Sequence, residues 1–370
     1  MRRQVVVRRM FHCWVIGIVC LAGCAPDNSG KAQAIAGRRI DYSDATGQGP
    51  LSCPEPALSA VEAGDLLEEI PTVESVDLWE NKYGPGLRLT TTHYLIYTTL
   101  LDPVMLRRIP GFMESVYRAY KTQLTEVVET QSGLTIYLFA DRRQWEEFTK
   151  DFAGDQARTF CRIKAGAYYH NGVCVAYDIG PARTLAVLGH EGWHQFSDKH
   201  FKFRLPSWID EGVAMLFETN GIESETFKIA PAKNAYRLKS LSRTLENDGM
   251  IPLRELIASN PGDVLAMDRT EAVMAFYSQS YALVRFLREA DSCRRLAAYH
   301  RLLADGLRGR WQLDSTSRQI AIDRNIPRNI LWNHIVGLVL FEDYVGNDYD
   351  RIEKEYLTFC RQITELRSKN

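Results

Sequence analysis

The chain has 370 residues, 45% of them apolar and 25% charged, with a formal net charge of −1. That length can bury a large core. Residues 1–23 carry four arginines and no acid, so the remainder carries −5; a mildly acidic chain with no basic run argues against nucleic acid as a partner.

In chain order, the leader comes first. Arg2, Arg3, Arg8 and Arg9 precede an apolar run from Met10 to Leu21, then small residues. This is the layout of a secretory signal. The run falls short of the roughly 20 residues that span a bilayer. Leu21-Ala22-Gly23-Cys24 resembles the lipobox of bacterial lipoproteins. The resemblance implies cleavage before Cys24 and acylation of its thiol, so that the membrane is touched through the lipid alone. Ala25, in place of the aspartate that retains some lipoproteins at the inner membrane, favours the outer membrane. The expected location is the bacterial cell envelope, facing the periplasm.

Residues 24–71 are rich in Gly, Pro, Ser, Ala and acids and read as a flexible tether, with one short helix at Ala57–Glu69. Beyond Cys24 remain Cys53, Cys161, Cys174, Cys293 and Cys360, in a compartment that permits disulfides. Cys161 and Cys174 bracket a hairpin signal, Asn171-Gly172, and could pair across it. Cys293 with Cys360 is a looser pairing, and Cys53 is the odd thiol. The alternative is that most are small buried core residues.

Residues 72–370 read as one α+β domain, with a sheet-bearing lobe at 72–200 and a helical lobe at 201–370. Strands are expected at 93–100 and 134–140, helices at 110–124 and 142–152, and a hairpin at 165–177. Helices follow at 182–200 and 205–219, the second with Pro206 near its first turn. After Glu271 nearly everything reads helical. Strands first and helices later point to an α+β fold.

The stretch HEGWHQFSDKH (190–200) opens with HExxH. On a helix, positions i and i+4 share a face, so His190 and His194 can each offer a ring nitrogen to one Zn2+. Glu191 lies about 100° round the helix and can reach a water on the metal without being a ligand. It would accept that water's proton and pass it to the leaving amine. Zinc needs a third protein ligand and keeps a fourth position open. His200 has the metzincin spacing, HExxHxxGxxH, but Ser197 stands where that motif has the glycine that turns the chain back, and no Met-turn follows.

The second candidate for the third ligand is Glu211. The segment PSWIDEGVA, with Trp208, Glu211, Gly212 and Ala214, is similar to the glutamate helix of the gluzincins, and HEGWHQF…LPSWIDEGVAMLFE resembles the peptidase-MA-like branch. The resemblance covers about 90–290 and is sharp at 190–214. It implies a zincin-like fold, with an edge strand over the HExxH helix that an extended peptide can join; VCVAYD (173–178) is the candidate strand. It implies Glu211 as third ligand, with Trp208 between helices and the small Gly212 and Ala214 allowing close approach. It also implies an oxyanion-donating tyrosine in FYSQSYALVRFL, Tyr277 or, one turn on, Tyr281. Many gluzincins place an aspartate four residues after the glutamate to hold the first histidine. Met215 stands there, leaving Asp210, Glu218 or a backbone carbonyl for that task. The expected function is zinc-dependent hydrolysis of peptide bonds, in proteins or in peptidoglycan stem peptides. The alternative is a non-catalytic envelope scaffold or binding module that keeps the fold.

Overall fold

The computed structural model describes residues 59–368 apart from 69, 131, 164–165, 224–225, 262–269 and 325–331. The leader, Cys24, Cys53 and most of the tether lie outside the described residues. The described part of the tether is folded. Helix α1 (Ala60–Glu68) buries Ala63 and Leu67 completely in the main core. The short helix expected in this stretch is present, and two apolar side chains one helical turn apart pack it on the domain.

The domain is α+β, as expected. Its main sheet has six strands: β1 (Ser75–Leu78), β2 (Leu87–Thr90), β3 (Tyr94–Thr98), β4 (Leu134–Phe139), β5 (Ala167–His170) and β6 (Val173–Tyr177). Their spatial order is β1-β2-β3-β4-β6-β5. Strands β3, β4 and β6 run parallel, and the others join antiparallel. Alternation sets the two faces. Cys174 and Ala176 of β6 join the main core, while Val175 and Tyr177 join a smaller aromatic core with Phe139, Trp145 and Tyr168.

The β5–β6 hairpin turns at Asn171-Gly172, both at positive φ (49° and 85°). A two-residue type I′ turn requires this of both residues, and Asn-Gly meets it with little strain. The edge strand, however, is β5. The expected edge, 173–178, is internal because β6 pairs with β4 on its other side.

Helix α2 (Pro103–Lys121) starts earlier than expected. Asp102 caps it by accepting from the Met105 amide, and Pro103 takes the first turn. Helices α3 (Arg142–Phe152), α4 (Ala157–Phe160) and α5 (Pro181–His200) follow. Next come α6 (Ser207–Ala214), a 3-10 turn (Met215–Phe217) and a small hairpin, β7 (Asn220–Glu223) with β8 (Thr226–Ile229). The remaining described elements are helical: α7 (Ala235–Glu246), α8 (Leu253–Ala258), α9 (Thr270–Cys293), α10 (Leu296–Arg308), α11 (Ser315–Ile322), a π-helical turn (Asn333–Gly337), α12 (Leu338–Tyr344) and α13 (Tyr349–Ser368). Among the described residues no helix is long and apolar enough to cross a membrane.

The expected Cys161–Cys174 disulfide is not formed, and both thiols are free. Cys161 follows α4 and lies outside the hairpin, whereas the cross-strand neighbour of Cys174 is Tyr169. Cys293 is free and exposed, Cys360 free and buried.

Candidate metal centre

Helix α5 carries His190, Glu191 and His194 on a buried surface. Gly192, a poor helix former at about 1 kcal/mol against Ala, has a steric reason to be there. A Cβ at 192 would sit 2.5 Å from the Tyr120 hydroxyl, which donates to the Gly189 carbonyl.

Helix α6 packs beside α5 and places Glu211 opposite the two histidines. Glu211 Oε2 lies 3.3 Å from His190 Nε2 and 3.7 Å from His194 Nε2. One ligand atom from each of these three residues falls within 4.8 Å of the others, close enough to hold a metal ion. The position of α6 depends on distant residues. Asn333 caps its start, accepting from the Ser207 amide at 2.9 Å and donating to the Ser207 hydroxyl at 3.1 Å. A Cβ on Gly212 would meet the Ser280 carbonyl oxygen at 2.5 Å, so α6 and α9 touch at backbone distance. Trp208 is fully buried and packs edge-on to Phe341 of α12, centroids 5.9 Å apart.

Each histidine has an acid on its far nitrogen. Glu218 accepts from His190 Nδ1 at 2.9 Å. Asp210 lies 3.3 Å from His194 Nδ1 and also accepts from the Trp193 indole at 3.0 Å. Two acids flanking Glu211 thus stand in for the one that Met215 cannot supply: Glu218 holds the His190 ring by a hydrogen bond, and Asp210 faces the His194 ring as an ion-pair partner.

Charge and burial set the protonation of the site. Burial pushes the Glu211 carboxyl up, but His194 and His190 outweigh it and hold it at about 2. Burial likewise opposes the charge of Glu218, yet Arg237 and then His190 bring it to about 2. Burial disfavours charge on both histidines, but their acid partners win and raise each above the ordinary value. For Glu191 burial wins. Its carboxyl rises to about 7, against the downward pull of the His190 and His194 charges.

Six buried atoms here make no hydrogen bond: Nε2 of His190, both ring nitrogens of His194, Oε2 of Glu211 and both oxygens of Glu191. The close histidine–glutamate approaches lack hydrogen-bond geometry. An unsatisfied buried polar group costs about 1–3 kcal/mol, and a whole domain is stable by about 5–15 kcal/mol. A converging group of such atoms is therefore far cheaper if a cation satisfies it. Two imidazole nitrogens and a carboxylate oxygen are a donor set that can hold a transition-metal ion.

The other expected residues fall as follows. His200 is not part of the group. Its Nδ1 donates to the Phe196 carbonyl at 2.8 Å, its Nε2 lies 3.4 Å from the Tyr117 hydroxyl, and its ring stacks on Phe196. Tyr281 donates its hydroxyl to the Pro231 carbonyl and receives Arg285 Nη1 at 3.2 Å, which occupies it elsewhere. Tyr277 is buried on α9, with its ring 5.3 Å from the Arg237 guanidinium. The sequence reading missed Arg237, Asn234, Asn333 and Tyr120. Asn234, three residues before Arg237, has the spacing of a helix cap and its partner amide, a signal that could have found α7.

No family model matches the chain, and no curated protein matches it.

Proposed function

We propose that this chain is a zinc-dependent peptidase of gluzincin type, tethered by lipid in the bacterial envelope, acting on proteins or on peptidoglycan stem peptides. The observation that carries the reading is Glu191. It is fully buried beside the ligand group, and both its oxygens lack a partner. A carboxylate placed so, with no hydrogen bond to occupy it, can take and return a proton.

His190, His194 and Glu211 would hold the ion, with Glu218 and Asp210 turning the imidazoles toward it. Zinc, when bound, would lower the pKa of a water to about 7 and polarise the scissile carbonyl. Glu191 takes a proton at its carboxylate and delivers it to the leaving amine. Tyr277 is assigned the hydroxyl that donates to the developing oxyanion. Strand β5 offers the peptide a place. The Tyr177 amide bonds the Gly166 carbonyl, so by antiparallel alternation Ala167 and Tyr169 turn their amides and carbonyls to the free edge. An extended substrate can add there as a further strand.

A second reading is a non-catalytic scaffold holding a structural ion. It is favoured by the closure of the site, since His190, Glu191, His194 and Glu211 are each at most 2% exposed. Glu191→Gln separates the two. The peptidase reading expects about one zinc per chain in both proteins and peptide cleavage in the wild type only. Cleavage unchanged by the substitution would sink it. Zinc without cleavage in either protein would leave the scaffold.

A further inference from the structure

We propose that Arg237 is a positioning residue for the metal centre, clamping Glu218 so that His190 keeps Nε2 turned toward the other ligands. The inference rests on the metal-site reading above and deepens it.

Glu218 orients His190 from an exposed-side position. It closes the 3-10 turn Met215–Phe217, and its side chain is 10% exposed, whereas the His190 side chain is 0% exposed. A glutamate has rotamer freedom to lose there. Arg237 removes it. Nε donates to Oε2 at 2.8 Å and Nη2 donates to Oε1. Asn234 Nδ2 adds a third donor, to Oε2 at 2.9 Å. The guanidinium fork fixes the carboxylate plane, leaving Oε1 2.9 Å from His190 Nδ1. With Nδ1–H committed to that bond, Nε2 offers its lone pair to an ion.

Arg237 is itself fixed. It is 1% exposed, and its amide donates to Asn234 Oδ1 at 3.2 Å at the start of α7. Its guanidinium lies over Tyr277 of α9 at 5.3 Å and over Tyr236 at 5.5 Å. The clamp therefore ties α7 and α9 to one histidine of the centre. It also places a buried cation directly on Glu218, whose charge needs compensation in a low-dielectric interior. A lysine would supply the charge without the fork.

The test uses the purified full chain, Zn2+ titration against a competing chelator, and 15N NMR of the histidine rings. Arg237→Met should weaken zinc binding about 10–100-fold, the usual effect of losing an outer partner of a ligand histidine. It should also speed exchange of the His190 Nδ1 proton. Arg237→Lys should recover only part of either effect. Because Arg237→Met strands a buried carboxylate and could unfold the domain, Arg237→Met with Glu218→Gln is measured beside it, with the same weakening expected. A folded variant that binds zinc as the wild type does and keeps the His190 proton protected would overturn the clamp. If the wild type takes no zinc, the peptidase reading falls. The clamp then stands or falls on the His190 proton alone, protected in the wild type and lost in the variant, or equally protected in both.

Discussion

The Tyr120 hydroxyl fills the space that a side chain at position 192 would need. A Cβ there would lie 2.5 Å from it. We predict that Gly192→Ala destabilises the domain despite the helix propensity gained, because overpacking costs about 1–3 kcal/mol against about 1 kcal/mol of propensity. Tyr120→Phe removes the obstructing oxygen, so in that background the alanine should be neutral or stabilising. Denaturant melts of the four proteins in the cycle measure the coupling, and strict additivity would count against the clash.

Protons and metal compete for the centre. In the metal-free protein His190 and His194 have raised pKa values because their acid partners outweigh burial. Their contribution to stability is complete below about 6.5 and is lost as pH rises through the folded values. Glu211 and Glu218 sit at about 2, so theirs is complete above the ordinary 4.5 and is lost as pH falls from there toward 2. An ion must displace the histidine protons. The gain in melting temperature on adding Zn2+ should therefore be larger at about pH 8 than at about pH 6, and smallest below about pH 5. A gain that does not change with pH would mean that zinc binds elsewhere.

Tyr277 and Tyr281 are one turn apart on α9 and should behave differently. On the proposed peptidase reading, losing an oxyanion donor costs about 100–1,000-fold in kcat, and Tyr277→Phe should show that loss with KM little changed. The Tyr281 hydroxyl is held by Pro231 and Arg285, so Tyr281→Phe should cost stability, about 1 kcal/mol for one hydrogen bond, and leave kcat within a few-fold. The opposite ranking would move the oxyanion assignment to Tyr281.

Helix α1 belongs to the domain. Leu67 is fully buried, and burying a leucine that is then cut to alanine costs about 2–5 kcal/mol. Leu67→Ala should lower the denaturation midpoint by a corresponding amount, and a chain beginning at residue 72 should be less stable than one beginning at 59. Equal midpoints would return this segment to the tether.

Thiol accessibility checks the cysteine correction. Iodoacetamide should label exposed Cys293 first and half-buried Cys161 more slowly, and should reach buried Cys174 and Cys360 only after denaturation. A 161–174 bridge in unreduced peptides would contradict the free thiols found here.

Much of the centre was legible because its signals are local. HExxH spacing places two histidines on one helical face, and Trp208, Glu211 and Gly212 mark the helix beside it. The parts that were not legible lie far away in sequence. Asn333 caps α6 from across the domain, and the Tyr120–Gly192 contact joins two helices whose spacing no local pattern sets. Strands β1 and β2 escaped because four residues hold too little periodicity to stand out. The edge was misassigned for a related reason. A hairpin signal identifies both strands, but which one lies outside depends on β4 choosing β6 as its partner.

Asp210, Glu211 and Glu218 come from one short stretch, 210–218, which supplies one of the three side chains placed to hold a metal ion and the acid beside each histidine. The centre therefore has a single point of failure that lies off the HExxH helix. Whatever unseats this stretch, whether a side chain at Gly212 forced against the Ser280 carbonyl or the loss of the Asn333 cap, withdraws all three acids together. Substitutions at these three acids should not add up independently, and damage to remote packing will be felt as lost metal before it is felt as lost fold.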